Sequence, residues 1–392
     1  MADYPLADVT IVDLTRVLAG PYCTMLLADL GARVIKVERP GRGDDARHIG
    51  PFLNGHSAYF ASVNRGKESI DLDFESENDR LLLDRLLDRA DVLVENFKGG
   101  TLARLGYGWP VLHERWPRLV YAAISGFGHT GPYAERPAYD MIVQAMGGIM
   151  SITGPEQDDP SQTDSRAPTR VGTSVGDLTA GLFGAIGILS ALHDRERTGE
   201  GRKVDVSMLD CQVAILENAL ARYFATGTAP GPLGARHPSI TPFGAFAAAD
   251  GHLVIAAGND QLFVRLCEVL GSPALAADAR FATNGARTEH ESELKGALQA
   301  RLAGATVAVW LDRLASVGVP CGPINDVAAV VHDPQVRARS MVLPLDDPEL
   351  PGLHVAGNPV KMSGLPEPGF RRRAPRLGEH RVGLVAETNP DA

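Results

Sequence analysis

Asp177 stands in a run of small residues, Arg170-Val-Gly-Thr-Ser-Val-Gly-Asp177-Leu-Thr-Ala-Gly181, with glycines at 172, 176 and 181. Glycine lacks a Cβ, so backbone and ligand can come close to a carboxylate placed there. Such a carboxylate can meet a substrate carbonyl and act as a nucleophile. The competing reading is a helix N-cap, because the apolar stretch 178–192 follows and Asp is a favoured cap residue. The same run contains Gly172-Thr-Ser174-Val-Gly176, which satisfies the G-x-S-x-G pattern of the serine-hydrolase elbow. That elbow needs a strand directly before the serine, and residues 161–170 are polar and poor in strand formers. Its triad would draw on His237, His252 or His380, none of which has distinguishing context. Asp140, just after Tyr139, supplies a second carboxylate that could divide labour with Asp177, since neighbouring carboxylates push their pKa values apart. The plainer reading of Asp140 is an aspartate in a turn.

Elements able to position these groups are legible around them. Strand patterns cover 9–14, 33–38, 69–73, 91–95, 119–125 and 203–208; helical patterns cover 22–30, 79–87, 178–192 and 210–226. Alternation of this kind predicts βαβ units and a parallel sheet covered by helices. A second region carries a strand at 252–257 and helices at 261–270 and 291–302. Ligands of open α/β sheets bind beyond the strand ends. Arg39, Arg42, Asn96, Lys98 and Arg104 follow strands and could neutralise phosphates there; a solvated rim of loops is the alternative. The first loop, Arg16-Val-Leu-Ala-Gly20-Pro21, is not GxGxxG, and neither a P-loop nor HExxH occurs, so nicotinamide, P-loop phosphoryl and zincin chemistry are not indicated.

At 392 residues the chain has room for two domains. A net charge of −10 argues against a nucleic-acid partner. The cysteines, at 23, 211, 267 and 321, form no CxxC pair, so no metal site or disulfide framework is indicated and a reduced cytoplasmic compartment is expected. No signal-like segment opens the sequence, and the apolar stretch 178–192 reads as too short to span a membrane, so no membrane partner is expected.

Together these residues resemble the class III CoA-transferase family, the formyl-CoA transferase or CaiB-like group. The resemblance runs from Val12-Asp-Leu-Thr-Arg-Val-Leu-Ala-Gly-Pro21 through Val34-Ile-Lys-Val-Glu-Arg-Pro-Gly41, Gly43-Asp-Asp-Ala-Arg47, Val94-Glu-Asn-Phe97, Ser125-Gly-Phe-Gly-His-Thr-Gly-Pro132, Lys203-Val-Asp-Val-Ser207 and the segment 318–323 to Leu377-Gly-Glu-His380. It implies an α/β fold: a Rossmann-like large domain with a parallel sheet, plus a smaller α/β domain, in an interlocked, ring-like homodimer. The large domain is expected over 1–200, completed by 325–392, with a connection at 201–225 and the small domain at 226–324. By the same matching Asp177 corresponds to the catalytic nucleophile. Val17, Arg39, Leu72, Asn96 and Arg104 fall at CoA-contacting positions, and Leu18, Tyr59, Tyr139 and Asp140 fall at the acyl or acceptor site.

The implied activity moves CoA from an acyl-CoA to a small carboxylic acid through an aspartyl anhydride and an aspartyl-CoA thioester, with CoA esters as substrates and no permanently bound cofactor. Glycine-rich segments at 126–131 and 256–260 are candidate oxyanion donors. Family racemases of 2-methylacyl-CoA esters have a His where this chain has Tyr139, which disfavours two-base chemistry because tyrosine does not titrate near neutrality. Formate/oxalate enzymes have a Gln where this chain has Leu18. The segments 233–243 and 257–263 look instead like those of acetyl-CoA:oxalate and succinyl-CoA:dicarboxylate enzymes. Arg47, Arg236 and His237 are candidates for the acceptor's second carboxylate, with surface charge as the alternative, and Arg371-Arg-Arg373 reads as a solvated face.

Overall fold

The computed structural model describes residues 4–156 and 167–388, so positions 161–166 of the polar stretch before Ser174 lie outside the described residues. The N-terminal half alternates strand and helix: β1 (Thr10–Asp13), α1 (Ala19–Asp29), β2 (Arg33–Glu38), α2 (Ala58–Asn64), β3 (Glu68–Asp71), α3 (Glu77–Leu87), β4 (Val92–Glu95) and β5 (Val120–Ser125). Then come α4 (Asp140–Met146), the long α5 (Val175–Thr198), β6 (Lys203–Ser207), α6 (Met208–Ala214) and α7 (Asn218–Thr226). The six strands form one parallel sheet in the order β3-β2-β1-β4-β5-β6. From β1 the chain first builds outward through β2 and β3, then returns and builds the other way from β4. The switch point between β1 and β4 leaves a crevice beyond their carboxyl ends.

Side-chain alternation divides the sheet's two faces. On one, Ile11, Val34, Val92 and Ile124 pack with Ala19, Cys23 and Leu27 of α1 and Ala180, Ala185 and Ile188 of α5. On the other, Val12, Ile35, Ile70 and Leu93 pack with Leu82, Leu83, Leu86 and Leu87 of α3, whose spacing makes one apolar stripe. Each fully buried side chain of this kind contributes about 1.5–3 kcal/mol. Every residue of β5 is buried, as expected of a parallel strand covered on both faces.

Glycines let α5 press against its neighbours. A Cβ on Gly181 would lie 2.8 Å from the Ala19 carbonyl oxygen, and one on Gly184 would lie 2.7 Å from Ile124 Cδ1. The helix runs 24 residues, well beyond the stretch expected from sequence. By length and composition it could cross a membrane, which corrects the shorter sequence reading. In this fold, however, Ala180, Gly181, Gly184, Ala185 and Ile188 are buried against α1 and the sheet, and Arg195 pairs with Asp91 at 3.0 Å. The expected helix at 210–226 is two helices, interrupted where Glu217 adopts φ 28°.

The chain divides into two compact units, the first Met1–Met150, Arg170–Thr228 and Pro334–Ala392, the second Ser151–Thr169 and Ala229–Asp333. The segment 201–225, expected to be a connection, is therefore part of the first unit: β6 pairs with β5. The second unit holds an antiparallel sheet of Phe243–Ala247, His252–Ala256 and Cys321–Pro323. Its own core includes Leu253, Ile255, Phe263, Leu294, Leu298 and Trp310.

Candidate active site

The switch-point loop, residues 14–18, is held from below by buried charges. Lys36 Nζ donates to the Thr15 carbonyl at 2.7 Å and pairs with Asp44 at 2.8 Å. Lys67 Nζ lies 3.1 Å from Asp13 and donates to Thr24, Asn64 and the Pro21 carbonyl. Burial pulls the Lys67 ammonium down to about 8 despite Asp13 opposing it. Asp13 would be pushed up by burial alone, but Lys67, Lys36 and the hydroxyls of Thr15 and Thr24 hold it at about 2. Above this base, Asp44 accepts from the Val17 N–H at 3.0 Å. The Asn96 carboxamide brackets Arg16, accepting from its N–H at 2.9 Å and donating to its carbonyl at 2.7 Å. Val17 is thereby kept at φ 66°, a conformation that costs a β-branched residue about 1–3 kcal/mol. Strain of this size persists only where its surroundings over-determine it, and here three side chains do.

Two cavities open at this point. One, of about 380 Å³, is lined by Leu14, Arg16, Arg39, Leu72, Phe97 and Thr101, among others. The other, of about 190 Å³, includes Val17, Leu18, Asn96, Gly126, Tyr139 and Asp177 in its wall, with Arg16, Lys98 and Arg136 as its cations. Leu18, Tyr59 and Leu178 belong to one apolar cluster, which joins the first loop to the residue after Asp177. Leu18 precedes α1 without any side-chain cap, so among the described residues the first N–H groups of that helix have no capping side chain at the cavity wall.

Asp177 is in the first turn of α5, three residues after Ser174, which occupies the N-cap position. The cap reading of Asp177 is thus corrected. Two of its glycine neighbours serve packing: a Cβ on Gly176 would meet Val143 at 2.7 Å and Asp140 at 3.0 Å, and one on Gly181 would meet the Ala19 carbonyl, whereas a Cβ on Gly172 would meet nothing within 4 Å. Burial first, and then the charge of Asp140, push the Asp177 carboxyl up to about 7. A first-turn position favours the anion by only about 0.3–1 kcal/mol, so desolvation wins. Tyr59 is pushed up to about 12 by burial and by the charges of Asp177, Asp44 and Asp140.

Most sequence-read site residues converge here: Val17, Leu18, Asn96 and Tyr139 line the cavity of Asp177, and Arg39 and Leu72 line its larger neighbour. Arg104 lines neither, but ends the short helix Thr101–Arg104 and donates to Thr101 at 3.0 Å. Tyr139 is 74% exposed. Asp140 differs from expectation, being only 8% exposed with both oxygens engaged, one by Gly176 N–H at 2.8 Å and one by Gln144 at 2.7 Å. It acts on Asp177 through its charge rather than as a free acid.

Arg47, proposed for the acceptor, is committed elsewhere: it holds Glu38 by two bonds of 2.7 Å and covers the Phe60 ring at 3.8 Å. In the second unit Arg236 pairs with Glu156 at 2.6 Å and His237 stacks on Phe243. Arg371 is buried and paired with Asp29 at 3.2 Å, so the run 371–373 is not simply a solvated face. Residues 171–174 form no strand, so Ser174 lacks the elbow geometry of a serine hydrolase. Sequence reading missed Lys36, Lys67, Arg136 and Gln144; only the position of Lys36 between Ile35 and Val37 of a central strand hinted at burial.

A parallel sheet with a crevice at its switch point, and a carboxylate of raised pKa in that crevice, have the form of an α/β enzyme site. The profile of CoA-transferase family III matches residues 6–381, and the chain belongs to that family. It is 48% identical to the acetyl-CoA:oxalate CoA-transferase of Acetobacter aceti, over 98% of this chain and 95% of that one. With the succinyl-CoA:mesaconate CoA-transferase of Haloarcula hispanica it shares 43% identity over 97% and 96% of the two chains. A crystal structure of a CAIB/BAIF family protein from Brucella suis superposes with a TM-score of 0.85 at 42% identity, covering 98% of this chain and 99% of that one. The protein is a class III CoA-transferase.

Proposed function

We propose that this enzyme moves CoA from acetyl-CoA or succinyl-CoA to a small dicarboxylate such as oxalate, with Asp177 as the covalent nucleophile. The observation that carries this reading is Asp177 itself: a carboxylate of raised proton affinity in the wall of a cavity at the sheet's switch point. The Asp177 carboxylate attacks the thioester carbonyl; the C–S bond breaks, giving an aspartyl mixed anhydride and CoA thiolate. The thiolate then attacks the aspartyl carbonyl, forming an aspartyl-CoA thioester and releasing the donor acid. The acceptor carboxylate repeats both steps in reverse and leaves as its CoA ester. No water is consumed, so the thioester's free energy is conserved. N–H groups at the start of α1 and in the loop at Gly126 are the oxyanion donors we assign.

Val17, Arg39, Leu72, Asn96 and Arg104 take CoA in this reading, and Leu18, Tyr59 and Tyr139 border the acyl group. Lys98 and Arg136 suit a second carboxylate, since neither has an ion pair among the described residues. The homodimer is supported by an exposed apolar surface on α4 and α5: Met141, Ile142, Met146, Leu182, Phe183 and Ile186. The test is mass spectrometry of CoA esters after mixing enzyme with acetyl-CoA or succinyl-CoA and oxalate, mesaconate, glutarate, citramalate, itaconate or formate. A new dicarboxyl-CoA ester, absent with Asp177→Ala, is expected. Free CoA accumulating in place of any ester would contradict the transferase reading.

A further inference from the structure

Gln144 lies in the middle of α4, fully buried, one turn after Asp140. Its carboxamide is used at both ends. Nε2 donates to Asp140 Oδ2 at 2.7 Å and lies 3.4 Å from the Thr173 carbonyl, while Oε1 accepts from the Val171 N–H at 2.9 Å. The other oxygen of Asp140 accepts from the Gly176 N–H at 2.8 Å. Residues 171–174 have no regular secondary structure, and α5 begins only at Val175. The approach to the nucleophile is therefore tied to one short helix at three backbone points: Val171 N–H, Thr173 C=O and Gly176 N–H.

Packing alone does not require a glutamine here. An apolar side chain of similar length would fill the same space, and a buried carboxamide is costly wherever one of its groups is left unpaired. What glutamine adds is a donor and an acceptor on one rigid plane, able to bridge a carboxylate and a backbone segment together. The Asp140 carboxylate also bonds the first turn of α5, so its direction and the start of the nucleophile helix are set by the same contact.

We infer that Gln144 is a positioning residue for CoA transfer: it locks the segment 171–176 and the Asp140 carboxylate in one arrangement, and so fixes where the Asp177 carboxylate points. This rests on the reading of Asp177 as nucleophile. Misplacing a reacting group by about 1 Å costs on the order of 100-fold in rate, and Gln144 stands behind three anchors of that group.

Two variants test it, both in the full-length enzyme with an acyl-CoA donor and a dicarboxylate acceptor. Gln144→Met removes the bridge and keeps the bulk. Its kcat is expected to fall about 10- to 100-fold, with KM for donor and acceptor unchanged within about 3-fold. Gln144→Glu retains an acceptor for the Val171 N–H but places a second negative charge beside Asp140. Asp177 faces Asp140 from α4 and Tyr59 from α2, with Arg16, Asp45, Lys98, Arg136 and Tyr139 lining the same cavity. The added charge should move the midpoint of the pH–rate profile upward. That shift reads how strongly position 144 is coupled to Asp177, and the fall in kcat at unchanged KM in the Met variant is the readout that a residue merely filling space would not give. Should the Met variant fail to fold, the near-isosteric Glu variant carries the test alone. A Met variant with kcat within 2-fold of wild type, or a Glu variant with an unmoved midpoint, would overturn the inference. A wild type showing no Asp177-dependent exchange would overturn the transferase reading, and this one with it.

Discussion

Asp177→Asn should stabilise the fold while abolishing transfer, and the size of the gain should depend on pH in a defined way. Burial and the Asp140 charge lift the Asp177 carboxyl to about 7 in the folded protein, against an ordinary aspartate value of about 4. Because folding raises this pKa, the ionised carboxylate opposes the fold. The stability linked to neutral Asp177 is fully present below about pH 4 and is lost as pH rises to about 7. At about 1.4 kcal/mol per pH unit, the variant's advantage should be near zero at pH 4 and about 1–2 kcal/mol at pH 5. It should level off at about 4 kcal/mol above pH 7. Asparagine has similar shape and no charge, so the variant leaves packing nearly unchanged. Urea unfolding of wild type and variant from pH 5 to pH 8 measures the difference directly. A gap independent of pH, or a variant less stable than wild type at pH 8, would refute the desolvation argument and with it the account of why this carboxylate is reactive.

Further outcomes follow from the same geometry. In wild type, kcat/KM for the CoA ester should rise with pH through a midpoint near 7, because attack requires the carboxylate. Asp140→Asn removes the neighbouring charge and should shift that midpoint downward, read from the pH–rate profile. Ser174→Ala should retain transfer within about 3-fold, since Ser174 makes no side-chain cap bond and the described residues 167–173 before it form no strand. Lys67→Met strands the buried Asp13 carboxylate and should cost about 3–5 kcal/mol in chemical unfolding.

The parts of the fold written as local pattern were readable. The strand Arg33–Glu38 and the helix Glu291–Leu302 have the predicted bounds, because a short β-branched run and a leucine stripe at 294, 298 and 302 each act within one element. The full length of α5 was not readable, since its ends are polar and its small residues carry little hydrophobic signal. Nor was the break at Glu217, where positive φ falls on a residue with no preference for it. In the site, motif placement found Asp177 and the crevice loops. The supporting groups were hidden for a common reason: Lys67 meets Asp13 across 54 positions and Gln144 meets Val171 across 27, and charged or amide side chains read as surface until their partners are known. The same reasoning misled in the other direction at Arg47, which looked free for a substrate carboxylate but is bound to Glu38.

In the proposed cycle CoA passes through a covalent bond to Asp177. Mass spectrometry of enzyme quenched in acid during turnover, followed by peptide mapping, tests it most directly. A CoA adduct is expected on the peptide containing Asp177 that appears with the acyl-CoA donor, disappears when excess dicarboxylate acceptor is added, and is absent from Asp177→Ala. Exchange at full rate with an unmodified Asp177 peptide, or an adduct mapped to any other side chain, would contradict it.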